Sequence, residues 1–447
     1  MIVQRTGYNP LMKYLRVLLF ALTIFGIFTM ARAQSAEPLA IVMTADGPIM
    51  PPMLEYVKRG VETANQRNAE VLIIQLNTPG GSIETMLEII REIRASNVPV
   101  VVYVAPRNAI AGSAGAMITM AGHASAMAPE TSIGASSPIN GSGENLNSTA
   151  ETKAKEITKA AIRDYVRPRG AEALALAESM IDEAKAVTAA EALEVHLIDF
   201  IADDIEDLLQ ALNEFTVQVN NEPRTLNTNN VRTQSLNISF IEQFLLTLTD
   251  PNIAFLLIAI GVQAVLIEIS SPGGWVAGFI GVVCLTLAIY GLGVLPVNWF
   301  GIIFMLTAFV LFILDIKAPT HGALTTAGVA SFIIGALVLF NSPGTPDFQR
   351  VSVPLVVGVG ITIGLFFFGI LLFALRALRV PVSSGVESFV GKTGTARTPV
   401  DGSGGQVQLQ SELWSAEAVQ GSEKIGKGDN VEVVEVKGLR LKVRKKI

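Results

Sequence analysis

Cysteine and histidine are nearly absent from this 447-residue chain, which has one cysteine, Cys284, and three histidines, His123, His196 and His321. One thiol excludes an intrachain disulfide and any cysteine-built metal site. Three scattered imidazoles give little material for a metal cluster, and no metal or cofactor is expected. Charge is also sparse, at 16% of residues, with a formal net charge of −6. Without a basic excess there is no electrostatic case for nucleic acid. Apolar residues take up 50% of the chain, and mean hydropathy is +0.48. That excess lies beyond residue 250, in runs that suit a bilayer rather than a soluble core.

The chain is too long for one ordinary domain, and composition divides it into five parts. Residues 1–33 read as a signal peptide: Lys13 and Arg16 precede an apolar core, and Ala31-Arg32-Ala33 offers a small-x-small cleavage site. The alternative is an uncleaved anchor, and either one exports the next segment. Residues 34–212 alternate apolar strands with amphipathic helices, which argues for a mostly parallel sheet covered on both faces. Residues 213–249 are polar and are expected to form a linker, a short hairpin or tether.

Residues 250–378 carry five apolar runs, at 253–269, 275–295, 298–316, 324–340 and 353–378. Each is close to the roughly 20 residues needed to cross hydrocarbon. The first and fourth are marginal, so four spans remain open. Glu268 and Asp315, at span ends, are expected at the interface. Five spans with an exported first domain put Lys317, Arg376 and Arg379 inside, as the charge bias requires, with Arg350 as an exception. Residues 390–447 alternate valine with polar residues between glycine turns, the pattern of a small β-barrel, with Trp414 as a core anchor. Its basic end, 440–446, suits either anionic lipid or a solvated strand end.

The candidate chemistry centres on Ala111-Gly112-Ser113-Ala114-Gly115-Ala116-Met117. A serine between small residues, after a buried strand and at the start of a helix, has free N–H groups and a favourable dipole beside its oxygen. Helix packing alone would also use such a turn. A serine nucleophile needs a base, and each histidine reads better as structural. A desolvated lysine can serve instead. In the helix after Ser148, Ala150, Ala154, Ile157, Ala161 and Tyr165 share one face, with Lys153 on its edge. Lys155 and Lys159 fall opposite and are expected in solvent. A rim lysine with an apolar stem is the competing reading of Lys153. Gly80 and Gly81, after the strand 71–76, and the Ala114 amide can hold an oxyanion. Apolar strands around such a site favour an extended hydrophobic peptide.

Three motifs taken together, Leu76-Asn77-Thr78-Pro79-Gly80-Gly81, Ala111-Gly112-Ser113-Ala114-Gly115 and Ser132-Ile133-Gly134-Ala135, resemble the ClpP-like domain of long-form NfeD proteins, the stomatin operon partner proteins. Thr188-Ala189-Ala190-Glu191-Ala192-Leu193 resembles that domain's closing helix. The membrane block and the terminal barrel resemble the rest of the family. The resemblance implies a ClpP/crotonase-like α/β domain, an α-helical membrane block and an OB-fold-like barrel. It also implies a membrane-bound serine endopeptidase with a Ser–Lys dyad. Carried over by motif, Ser113 is the nucleophile and Gly81 and Ala114 are the oxyanion donors. Lys153 is the base, counted back from Ile162-Arg163, with Lys155 as the alternative. The family's helix is usually followed by a Gly-Arg-Asn turn, where this chain has Gly170-Ala171-Glu172. A stomatin- or flotillin-type membrane protein is implied as substrate or partner, together with membrane lipid and a homo-oligomer. The protease domain would lie on the exported side and the barrel in the cytoplasm. Competing readings are a non-catalytic membrane organiser and, more weakly, an acyl-CoA enzyme or a channel.

Overall fold

The computed structural model describes residues 13–15, 17–21, 23, 38–138, 148–270, 274–318, 320, 322–343, 345–379 and 386–446. The cleavage site expected at 31–33, and His321, lie outside the described residues. The chain divides into two compact units, 1–309 with 329–361 and 310–328 with 362–447.

In chain order the first unit opens with β1 (Leu39–Asp46), α1 (Pro51–Gln66), β2 (Val71–Asn77), α2 (Ile83–Ala95), β3 (Val100–Val104), β4 (Ile110–Gly112), α3 (Ala114–Ala121), β5 (Ala124–Met127) and β6 (Ser132–Gly134). It continues with α4 (Ser148–Val166), α5 (Ala171–Asp182), β7 (Ala186–Thr188), α6 (Ala189–Glu194), β8 (Phe200–Ile201), α7 (Ile205–Leu212), β9 (Thr216–Val219), β10 (Glu222–Thr225), β11 (Arg232–Leu236) and α8 (Phe240–Leu248). Six strands form one sheet in the order β11-β1-β2-β3-β5-β8, and every pair is parallel.

The central strands are continuous apolar runs because both their faces are buried. Leu72, Ile74, Val100 and Val102 face one core with α1, α2 and α3. Ile73, Val101 and Tyr103 face a second core with Leu208 and Leu212 of α7. This is the layered α/β architecture that the resemblance implies. A small second sheet, β4-β6-β7, stands beside it. Helix starts follow local chemistry: the Ser82 side chain caps α2, and capping boxes open α6 (Thr188, Glu191) and α8 (Ser239, Glu242).

Segment 213–249 is more than a tether. The hairpin β9–β10 is present, and Val217, Val219 and Leu226 are buried in the second core. β11 then pairs with β1 as the sheet's edge strand. Its sequence, Arg-Thr-Gln-Ser-Leu, is polar because an edge strand does not need two apolar faces.

The face expected for α4 also differs from the one observed. Thr158, Ile162 and Val166 are buried, and Ile157 is exposed. Two i, i+4 stripes competed on this helix, and packing on α3 and α5 selected the one a third of a turn away. Lys155 and Lys159 are correspondingly not free in solvent. Lys155 pairs with Glu151 (2.7 Å) and donates to the Asp182 carbonyl (3.0 Å). Lys159 pairs with Glu156 (2.5 Å) and Asp182 (3.2 Å).

Five apolar helices follow: α9 (Pro251–Ser270), α10 (Val276–Val294), α11 (Phe300–Lys317), α12 (Ala323–Phe340) and α13 (Val353–Arg379). Four of them, all but α11, are long and apolar enough to cross a membrane. The short run is thus the third, Phe300–Asp315, and neither the first nor the fourth. Glycines let these helices approach closely. A Cβ on Gly281 would lie 2.9 Å from the Gly261 carbonyl oxygen, and one on Gly301 would lie 2.4 Å from that of Gly335. Helix α8 joins the α/β layer to this block. The Arg59 guanidinium of α1 makes two hydrogen bonds to Glu242 of α8, at 2.8 and 2.7 Å. Burial alone would raise the Glu242 carboxyl, but Arg59 and the Ser239 cap outweigh it and leave the group below its ordinary value.

In the second unit, Asp315 is buried among protein atoms, at 1% exposure. It accepts from the Thr325 N–H (3.2 Å), the Thr325 hydroxyl (2.5 Å) and the Thr320 hydroxyl, and so satisfies the start of α12. A short-range partner explains its depth: an unpaired carboxylate could not lie there. The unit ends in a closed five-stranded barrel, β12 (Thr393–Ala396), β13 (Gly405–Leu409), β14 (Glu412–Ala418), β15 (Asn430–Lys437) and β16 (Arg440–Lys445), in the order β12-β13-β14-β16-β15. Val407, Leu409, Val431, Val433, Leu441 and Val443 fill it. Trp414 packs on the rim of this core, edge-on to Phe389 at 5.1 Å, rather than within it. The basic end is paired along neighbouring strands: Arg440–Glu417, Lys442–Glu435, Arg444–Glu432 and Lys445–Asp429.

Candidate active site

Ser113 stands between β4 and α3 with φ +50° and ψ −112°. A serine rarely adopts this conformation, and it costs on the order of 1–3 kcal/mol unless the surroundings enforce it. They do so here. The Ser113 N–H donates to the Gly134 carbonyl (2.8 Å), and its own carbonyl accepts from the Ala116 N–H (3.1 Å) and the Ser136 hydroxyl (3.1 Å). The Gly112 N–H donates to the Thr78 carbonyl (2.9 Å), which straps the elbow to the turn after β2.

The small residues around Ser113 are there because that turn lies on top of them. A Cβ on Gly115 would sit 2.4 Å from the Thr78 methyl, and one on Gly112 would sit 2.9 Å from the Pro79 carbonyl oxygen. Gly80 has φ +122°, and a Cβ there would lie 2.8 Å from the Ser113 Cβ and 3.4 Å from its Oγ. Ser113, Gly80, Gly81 and Ala114 are therefore brought together. The two glycines have different jobs. The Gly80 N–H donates to the Thr78 hydroxyl (3.1 Å). The Gly81 and Ala114 N–H groups donate to no acceptor among the described residues. Ala114 also opens α3, where the helix dipole favours negative charge.

Lys153 is not brought into this cluster. It lies on the exposed side of α4 and is absent from the described residues lining the cleft at Ser113. It makes no hydrogen bond or ion pair among the described residues. Sequence reasoning missed four features. Thr78 organises the glycine turn, Ser136 holds the Ser113 carbonyl, and Glu84 is the titratable side chain in the described lining. The fourth is a wall formed by Leu295, Pro296 and Phe348. Breaks between the apolar runs marked those last residues only as loops.

Neither described histidine lines the cleft at Ser113. His123 is buried, and its Nδ1 accepts from the Val100 N–H (3.0 Å). Burial, with help from Arg94, pushes its pKa from 6.5 down to about 4. The unfolded imidazole gains its proton near pH 6.5 and the folded one only near 4. Stability is therefore full above the unfolded value and falls as pH drops through that window, by up to about 3 kcal/mol. Thermal unfolding followed from pH 7 to 4 should show this loss, and a His123→Asn chain should lack that part of it. His196 is exposed at the end of α6.

A strand–turn–helix serine in a parallel α/β domain, joined to a block of apolar helices, defines a multi-pass membrane protein with nucleophile-elbow geometry. The chain belongs to the NfeD family. Residues 43–222 match the NfeD1b N-terminal domain, 252–375 the NfeD integral membrane domain, and 386–445 the NfeD-like C-terminal, partner-binding domain. The chain is 34% identical over 428 residues to the membrane-bound protease PH1510 of Pyrococcus horikoshii, covering 94% of this chain and 96% of that protein. It is 25% identical over 450 residues to the membrane protein NfeD1b of Bacillus subtilis, covering 95% and 97%. Among solved structures it is similar to the 1510-N membrane protease specific for a stomatin homolog from P. horikoshii. That match has 32% identity and a TM-score of 0.42, and covers 48% of this chain and all of that one.

Proposed function

We propose that this chain is a membrane-anchored serine endopeptidase that cuts apolar segments of stomatin-type membrane proteins. The observation that carries the reading is the Ser113 elbow, with its strained backbone and two unpartnered amides beside it. Kinship to a protease over nearly the whole chain supports the same reaction class.

In this mechanism α4 brings Lys153 from its exposed face to Ser113, and the lysine takes the Ser113 proton as Oγ attacks the peptide carbonyl. The Gly81 and Ala114 amides receive the developing oxyanion. The lysine then protonates the leaving amine, and water, deprotonated by the same lysine, releases the acyl group. Lys155 and Lys159 are already held by carboxylates, whereas Lys153 is unengaged, which favours Lys153 as base. The α/β domain lies on the exported side and the barrel in the cytoplasm. Five crossings are needed for this, so α11 counts as one. At 18 residues it is about 27 Å long, and the caps on Asp315 let its end stay buried. Arg350, the exception to the charge bias, is paired with Asp347 (2.8 Å).

The test is to incubate the full-length chain in proteoliposomes with the apolar C-terminal peptide of a stomatin-type protein and read cleavage by mass spectrometry. A fragment ending at 212 is unsuitable, because it lacks β11 and leaves the β1 edge unpaired. Cutting by the wild type and not by Ser113→Ala supports the protease. Binding without cutting, alike in both chains, replaces it with the organiser reading, which the partner-binding match at 386–445 favours.

A further inference from the structure

The cleft at Ser113, ≈ 500 Å³, is not built by the α/β domain alone. Pro79, Gly81 and Ser113 form one side, and Leu295, Pro296 and Phe348, from loops between apolar helices, line the other. A second compartment of ≈ 360 Å³ shares Met50, Pro79, Phe348 and Gln349 with the first and extends to Leu246 of α8. Phe348 therefore lines both compartments, beside Pro79 of the glycine turn.

These loops are held in place by their own hydrogen bonds. The Asn298 N–H donates to the Leu339 carbonyl (2.9 Å), and the Asn341 side chain accepts from the Val351 N–H (2.8 Å) and donates to its carbonyl (3.0 Å). The Ser352 N–H donates to Asn252 at the start of α9 (2.8 Å). Val294, the last residue of α10, packs on the α/β core. The wall is thus a fixed, apolar surface at the ends of the bilayer helices.

We infer that the membrane block supplies the specificity-determining wall of this site, with Phe348 selecting an apolar side chain next to the scissile bond in a peptide that lies at the bilayer surface. The inference rests on the protease reading. An extended peptide crossing from one compartment to the other must pass Phe348 while its carbonyl sits between Ser113 and Gly81. A polar side chain pressed against Leu295, Pro296 and Phe348 would give up water for apolar neighbours. The position at the helix ends favours a bond within a few residues of a membrane-embedded segment.

The test uses the full-length chain in proteoliposomes and two fluorogenic peptides, one with leucine on both sides of its central bond and one with serine in their place. Phe348→Ala should lower kcat/KM on the leucine peptide about tenfold, the scale of a lost apolar subsite contact, and change the serine peptide less than twofold. Labelling of Ser113 by a small fluorophosphonate should stay within twofold of wild type, because that probe does not reach the wall. As a second measurement, p-benzoylphenylalanine in place of Phe348, in a Ser113→Ala chain, should photocrosslink to the leucine peptide. Equal losses on both peptides with labelling intact, or no loss on either, overturn the inference, as does the absence of a crosslink. A wild-type chain that neither labels nor cuts overturns the protease reading and this inference with it.

Discussion

Replacing Ser113 with alanine should abolish fluorophosphonate labelling and lower peptide cleavage by the full-length chain about 10⁴-fold or more, since a nucleophile acts as a unit with its base and its removal costs most of the rate. The fold should survive. The Cβ that meets Gly80 is retained, and the three backbone hydrogen bonds that hold the elbow do not involve Oγ. Glycine at the same position separates chemistry from strain. At φ +50° and ψ −112° a Cβ costs on the order of 1–3 kcal/mol, and glycine's extra chain entropy returns about 0.5–1 of that. Ser113→Gly should therefore be as inactive as Ser113→Ala and more stable than it by about 1 kcal/mol, read as a higher thermal unfolding midpoint. Equal midpoints would limit the strain to the roughly 0.5–1 kcal/mol that glycine's chain entropy costs. A retained rate in either variant would remove Ser113 from the chemistry.

That elbow was legible in the sequence because its requirements are local. Two strands buried on both faces must be continuous apolar runs, and a turn stacked on a helix start must be made of small residues. The division of labour between Gly80 and Gly81 was not legible. It depends on where the Thr78 hydroxyl points, and both amides look alike in a string of letters. β11 was hidden for the opposite reason: an edge strand has few apolar residues to advertise it. On α4, the stripe through Ile157 and the stripe through Ile162 carry similar apolar content, and only the neighbouring helices decide between them. The burial of Asp315 was not legible because its partners, Thr320 and Thr325, come after the break in the helix. The wall at Leu295 and Phe348 lies some 180 and 235 residues from Ser113 by the numbering itself, and it meets the site only through the docking of α8, α10 and the loop before α13.

Lys153→Ala should lower kcat about 10³-fold, within the range of a lost general base, while the unfolding midpoint hardly moves, because Lys153 makes no hydrogen bond or ion pair among the described residues. Lys155→Ala should do the reverse. It removes the Glu151 pair and the bond to the Asp182 carbonyl, so a modest loss of stability is expected with activity within about threefold, as for other surface pairs. Lys153→Arg then distinguishes a base from a positive charge. A guanidinium stays protonated, so arginine keeps any electrostatic help to the oxyanion but cannot accept the serine proton. Arginine as inactive as alanine, in both peptide cleavage and the rate of fluorophosphonate labelling, assigns proton transfer to Lys153. Arginine near wild type would leave only a field effect and reopen the choice of base. Inactivity of Lys155→Ala with an active Lys153→Ala would move the base two residues along α4. Since residues two apart point to nearly opposite sides of a helix, that result would require α4 to present to Ser113 the face on which Lys155 meets Glu151 and Asp182 of α5, in place of the exposed face that carries Lys153.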